Sequence, residues 1–144
     1  MLSRAPDGRE RSRLLLVEDD APVRRSLQLL LQSRGFEVRA YRSGIGLAQD
    51  AEALRADCLV ADLRLIDGDA LGLLHELREV GWAGRAILIS GHVTAELEAD
   101  ALAQGYDLVL AKPVPDAVLT GSVARLVSSG PGAPSGATAP APRD

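Results

Sequence analysis

Five short apolar runs, each followed by a stretch with helical periodicity, constrain this chain more than any other feature. The runs begin near Leu14, Glu37, Cys58, Ala86 and Asp107. Short apolar runs of this kind, bounded by polar or turn residues, read as strands buried on both faces of a sheet. Helical spacing follows each one: Val23, Leu27, Leu30 and Leu31 after the first, Leu71, Leu74 and Leu77 after the third, and Leu97, Ala101 and Leu102 after the fourth. Leu119, Val123, Leu126 and Val127 form the last stripe, and a weaker helix is expected over 44–54 with Ile45, Leu47, Ala48, Ala51 and Leu54. The punctuation agrees. Pro22 falls in a first turn, Asp69 and Thr94 are N-cap residues, Asp116 opens the last helix, and Gly35 and Gly105 stand where helices stop. A βα unit repeated five times is joined by right-handed crossovers, so the expected fold class is α/β: a doubly wound five-stranded parallel sheet with five helices on its two faces.

The 144 residues suffice for one domain with a substantial core. Arg4, Arg9, Arg11 and Arg13 form a solvated arm without interleaved aromatics, and the net charge is -4, so nucleic acid is not expected as a partner. No apolar run approaches the roughly 20 residues that span a bilayer, and the first dozen residues lack the apolar stretch of a signal peptide. A membrane partner is therefore not expected, and a cytoplasmic location is. The single cysteine, Cys58, has no intrachain partner and reads as a small buried hydrophobe. From 128 to 144 the chain holds four Pro, four Ala, three Gly and three Ser and no large apolar side chain. Such a segment cannot bury enough surface to fold. The expected division is a polar arm over 1–12, one domain over 13–127 and a disordered tail over 128–144.

The strand ends carry the chemistry. Glu18 and Asp19 follow the first run, Asp62 the third, Ser90 the fourth and Lys112 the fifth, which places all five at one edge of a parallel sheet. Open α/β sheets bind ligands just outside the carboxyl ends of their strands. Asp62 alone also reads as a simple turn residue. Three carboxylates brought together, however, raise one another's pKa unless a cation lies between them. Oxygen ligands of this kind suit Mg2+ together with phosphate oxygens. Lys112 is the only lysine among sixteen basic residues, a compact charge suited to an anion held near Asp62.

The ordered motifs Leu15 to Asp20 with Pro22 and Arg24-Arg25, Val60 to Leu65, Ile87 to His92, and Ala111-Lys112-Pro113 resemble the receiver domain of two-component response regulators, over about residues 12–128. The resemblance implies a flavodoxin-like receiver fold with strand order 2-1-3-4-5. It implies that Asp62 accepts a phosphoryl group from a histidine kinase or histidine phosphotransfer protein, and that Glu18, Asp19, Asp62 and the backbone carbonyl of Arg64 hold Mg2+. Ser90 and Lys112 would bond the phosphoryl oxygens, Ser90 after its loop moves inward. Arg64 and His92 stand where the family tunes dephosphorylation, though each also reads as a solvated loop residue. His75 is expected to be structural, and a cis Lys112–Pro113 bond is implied.

The chain departs from the family in three places. Ile66 and Ala70 replace a proline and a glycine after the acceptor, with Gly68 as a substitute source of turn flexibility, and Val109 replaces the aromatic that reports phosphorylation. Tyr106, the nearest aromatic, lies three residues too early. The expected function is a phosphoacceptor signalling domain rather than an enzyme, with self-catalysed phosphotransfer and dephosphorylation at Asp62. Its output would pass through contacts with a downstream protein target, and a phosphorylation-dependent dimer is left open. The polar arm, initial methionine and Pro-rich end read as a complete small protein. The alternatives are a pseudo-receiver that binds without taking phosphate and the terminal receiver of a hybrid histidine kinase. An unrelated Mg2+ phosphotransferase or phosphatase fits less well, because Arg64 stands where such enzymes carry a second aspartate.

Overall fold

The computed structural model describes residues 11–65 and 68–130. In chain order the elements are β1 (Arg13–Val17), α1 (Ala21–Ser33), β2 (Glu37–Tyr41), single 3-10 turns at Leu47–Gln49 and Ala53–Arg55, and β3 (Cys58–Asp62). They continue with β4 (Arg64–Leu65), β5 (Gly68–Asp69), α2 (Ala70–Glu79), β6 (Arg85–Ser90), α3 (Ala95–Gln104), β7 (Leu108–Ala111) and α4 (Asp116–Ser128). Five strands form one parallel sheet in the order β2-β1-β3-β6-β7, which is 2-1-3-4-5 counted over the sheet strands. The remaining pair, β4 and β5, makes a two-residue antiparallel ribbon beyond the end of β3.

Side-chain alternation along the strands builds two cores. Leu15, Val17, Leu59, Ala61, Ala86 and Leu88 face α2, α3 and the 3-10 turns, packing with Leu47, Leu74, Leu77 and Ala101. Leu14, Leu16, Cys58, Val60, Ile87 and Ile89 face the other way, toward α1 and α4, and meet Leu31, Leu119 and Val123. Both faces of the central strands are thus covered, as continuous apolar runs require. Cys58 is buried within the second core, and desolvation pushes its thiol pKa up to about 12.

The expected caps hold α2 and α3. Asp69 accepts from the Gly72 N–H at 3.0 Å, Thr94 accepts from the Leu97 N–H at 3.0 Å, and Gly105 ends α3 at φ +113°. Segment 44–54 is a correction: it forms two 3-10 turns instead of a fifth α-helix. Gly46 takes φ +80°, and the Asp50 carboxylate accepts from the N–H groups of Glu52 and Ala53 at 2.9 and 3.4 Å. Local bonding of an aspartate to the backbone competes with helix continuation, and a left-handed residue interrupts it. The expected arm and tail lie outside the described residues except for 11–12 and 128–130, and Ser128 belongs to α4.

Candidate functional site

Strand register assembles the site. Val17 pairs with Ala61 across β1 and β3, so the next residues, Glu18 and Asp62, stand side by side at the carboxyl edge of the sheet. Asp62 in turn pairs with Ile89, and Ser90 pairs with Ala111, so Ser90 and Lys112 continue the same edge. The Lys112 N–H donates to the Ser90 carbonyl at 2.8 Å, which extends the ladder one step beyond β7. The Lys112–Pro113 peptide is cis.

Glu18, Asp19 and Asp62 each offer a carboxylate oxygen within 4.8 Å of the others. Glu18 is only 2% exposed. Its side chain accepts from the Asp20 N–H at 3.1 Å, and Arg24 donates to its backbone carbonyl at 2.8 Å. Burial pushes the Glu18 carboxyl above its ordinary value, and the neighbouring Asp62 charge adds to that rise. Lys112 opposes the cluster, donating to Asp62 at 3.0 Å with Glu18 at 3.7 Å. Burial works to lower the Lys112 pKa, but the bond to Asp62 and the charges of Glu18, Asp62 and Asp19 outweigh it and leave the ammonium above its usual range. One ammonium facing three carboxylates leaves an excess of negative charge. An all-oxygen donor set of this sort fits a hard divalent cation.

The other expected residues are less tightly gathered. Ser90 is buried at the end of β6, and its hydroxyl is engaged in its own turn, accepting from the His92 N–H at 3.1 Å and donating to the His92 carbonyl at 3.3 Å. His92 is exposed in the following loop. Arg64 is exposed on the ribbon opposite Asp69. Ile66 lies outside the described residues, whereas Gly68 takes φ +144°, a conformation that favours glycine. His75 is exposed on α2, 3.7 Å from Glu79. Two arrangements were not foreseen. The third acid of the first cluster, Asp20, caps α1 by accepting from the Val23 N–H at 3.1 Å. Tyr106 is buried, and its hydroxyl donates to the Ala70 carbonyl at 2.6 Å. The signal for Asp20 was present, since an aspartate shortly before a proline in a first helical turn is a cap pattern.

The response regulator receiver domain family matches residues 14–124. The chain belongs to that family. The receiver is 31% identical over 110 residues to the transcriptional regulatory protein FixJ of Rhizobium meliloti, an alignment covering 76% of this chain and 54% of FixJ. It spans about half the length of the curated relatives it matches. A CheY-like receiver domain protein from Methanospirillum hungatei superimposes with TM-score 0.74 at 20% identity, covering 83% of this receiver and 96% of that chain. The BeF3-activated N-terminal receiver domain of Klebsiella pneumoniae RstA gives TM-score 0.74 at 22% identity, with coverage of 81% and 98%. These structures share the receiver's fold. Receiver domains are signalling modules of two-component systems, and no helix among the described residues is long and apolar enough to cross a membrane.

Proposed function

We propose that Asp62 is the phosphoryl acceptor of a two-component phosphorelay. The observation that carries this reading is the Asp62 carboxylate set between two further acids and the Lys112 ammonium, at the carboxyl edge of the sheet. A carboxylate oxygen of Asp62 attacks the phosphorus of a phosphohistidine on a histidine kinase or histidine phosphotransfer protein. The phosphorus–nitrogen bond breaks, its electron pair returns to the imidazole, and an acyl phosphate forms on Asp62. The Lys112 ammonium stays within reach of the charge that gathers on the phosphoryl oxygens, and the rigid strand ends keep the nucleophile oriented.

Glu18, Asp19, Asp62 and the Arg64 carbonyl are the ligands assigned to Mg2+. The excess of carboxylate over ammonium at the sheet edge supports that assignment. When bound, the ion supplies positive charge to the transferring group. The Ser90 hydroxyl reaches a phosphoryl oxygen only by leaving its bonds to the His92 backbone, and this exchange is the expected switching step. Arg64 and His92, two residues after Asp62 and Ser90 respectively and both exposed, are the residues assigned to adjusting the lifetime of the acyl phosphate. Signalling then proceeds through contacts with a downstream protein target.

Incubation with acetyl phosphate and Mg2+ tests the reading by intact mass. The expected result is a gain of one phosphoryl group, lost in Asp62→Asn and with chelator. A second reading, a pseudo-receiver that binds partners without phosphate, draws support from Val109 in place of a switch aromatic. It would become the leading account if the chain stayed unlabelled with acetyl phosphate and again with a histidine kinase, under conditions where another receiver is labelled.

A further inference from the structure

Tyr106 and Ala70 belong to different elements and meet in the interior. The phenol stands just ahead of β7, is 2% exposed, and donates its 2.6 Å hydrogen bond to the carbonyl of the first residue of α2. A backbone path continues from there. The Ala70 N–H donates to the Leu63 carbonyl at 2.9 Å, and the Leu63 N–H donates to the Ile89 carbonyl at 2.8 Å. Leu63 directly follows Asp62, and Ile89 directly precedes Ser90. Two hydrogen bonds in series therefore connect the buried phenol to Leu63 beside the acceptor, and a third runs on to Ile89. A phenylalanine would fill the same volume without bringing a hydroxyl out of water, a cost that its bond to Ala70 offsets. Val109, three residues later, has no hydroxyl to offer.

We propose that Tyr106 is a positioning residue for Asp62: through Ala70 and Leu63, its hydroxyl holds the backbone from which the acceptor carboxylate projects. Given Asp62 as the phosphoryl acceptor, as argued above, small errors in the direction of its carboxylate weaken in-line attack. Tyr106 touches none of the reacting atoms and acts only through this path. It also ties the start of α2 to the approach to β7, the strand directly followed by Lys112, so both partners of the Asp62–Lys112 pair are referred to one fixed point.

The test compares the full chain with Tyr106→Phe and Trp82→Phe. Trp82→Phe removes a comparable hydrogen bond, from the indole N–H to the Ala56 carbonyl at 2.8 Å, near the opposite edge of the sheet, and controls for plain loss of stability. Two quantities are read: the Mg2+-dependent labelling rate with acetyl phosphate, and amide hydrogen exchange at Leu63 and Ala70. Tyr106→Phe is expected to slow labelling by about tenfold and to speed exchange at both amides, while Trp82→Phe labels at the parent rate. Equal labelling of Tyr106→Phe and parent overturns the inference, as does equal slowing in Trp82→Phe. Failure of the parent chain to label with acetyl phosphate and again with a histidine kinase removes the acceptor reading itself. Labelling of the parent with no effect of Tyr106→Phe removes only the role given to Tyr106.

Discussion

Glu18 is nearly inaccessible to solvent and shares its strand edge with Asp62, so burial disfavours its charged form and a nearby cation opposes that effect. Lys112 supplies one, 3.0 Å from Asp62. Replacing it with methionine keeps most of the stem but removes the charge, and labelling at Asp62 is expected to fall by about a hundredfold. Arginine is not expected to restore the rate, because its planar fork cannot reproduce a compact ammonium between two carboxylates. Single-turnover labelling of the two variants checks both statements. Cys58 tests burial through pH. Its thiol ionises at about 12 in the fold, against an ordinary value of 9.0, so the fold favours the protonated form. Stability from this residue is complete below pH 9.0 and falls as pH rises toward about 12, by up to about 1.4 kcal/mol for each pH unit. Denaturation midpoints across that range are expected to fall less steeply in Cys58→Ala than in the parent chain.

Among the elements, those whose start and stop signals agree with their hydrophobic stripe were legible in the sequence: α2 between Asp69 and its leucines, and α3 between Thr94 and Gly105. Segment 44–54 was not, because its apolar spacing suggests a helix while Gly46 and Asp50 impose turns. Gly46 has no atoms crowding the position of an added Cβ, so Gly46→Ala isolates the backbone conformation. It is expected to cost about 1–2 kcal/mol in chemical denaturation with the slope unchanged. The acids and Lys112 were legible because a parallel sheet sends every strand's carboxyl end to one edge, and residue order then decides proximity. The Tyr106–Ala70 bond was not, since it joins positions 36 residues apart through packing of α2 against the approach to β7 and has no local spacing to announce it.

At the scale of the whole molecule, two apolar cores hold the sheet so that one edge can carry excess negative charge, and a ligand that neutralises this edge should stabilise the fold. Mg2+ is expected to raise the melting temperature in proportion to the logarithm of its concentration once above its dissociation constant. Glu18→Gln and Asp62→Asn are expected to reduce that rise, and calorimetric scans with and without Mg2+ measure it. The receiver matches about half the length of relatives such as FixJ, so the protein target that reads Asp62 is a matter for partner capture with phosphorylated and unphosphorylated chain. The central claim concerns one side chain, and it is tested most directly by borohydride reduction of the chain after phosphotransfer, followed by peptide mass mapping. An acyl phosphate on Asp62 is reduced to homoserine, so the account predicts homoserine at position 62 and unmodified Asp19 and Glu18. A phosphorylated chain with position 62 unchanged and the reduced residue elsewhere would contradict it.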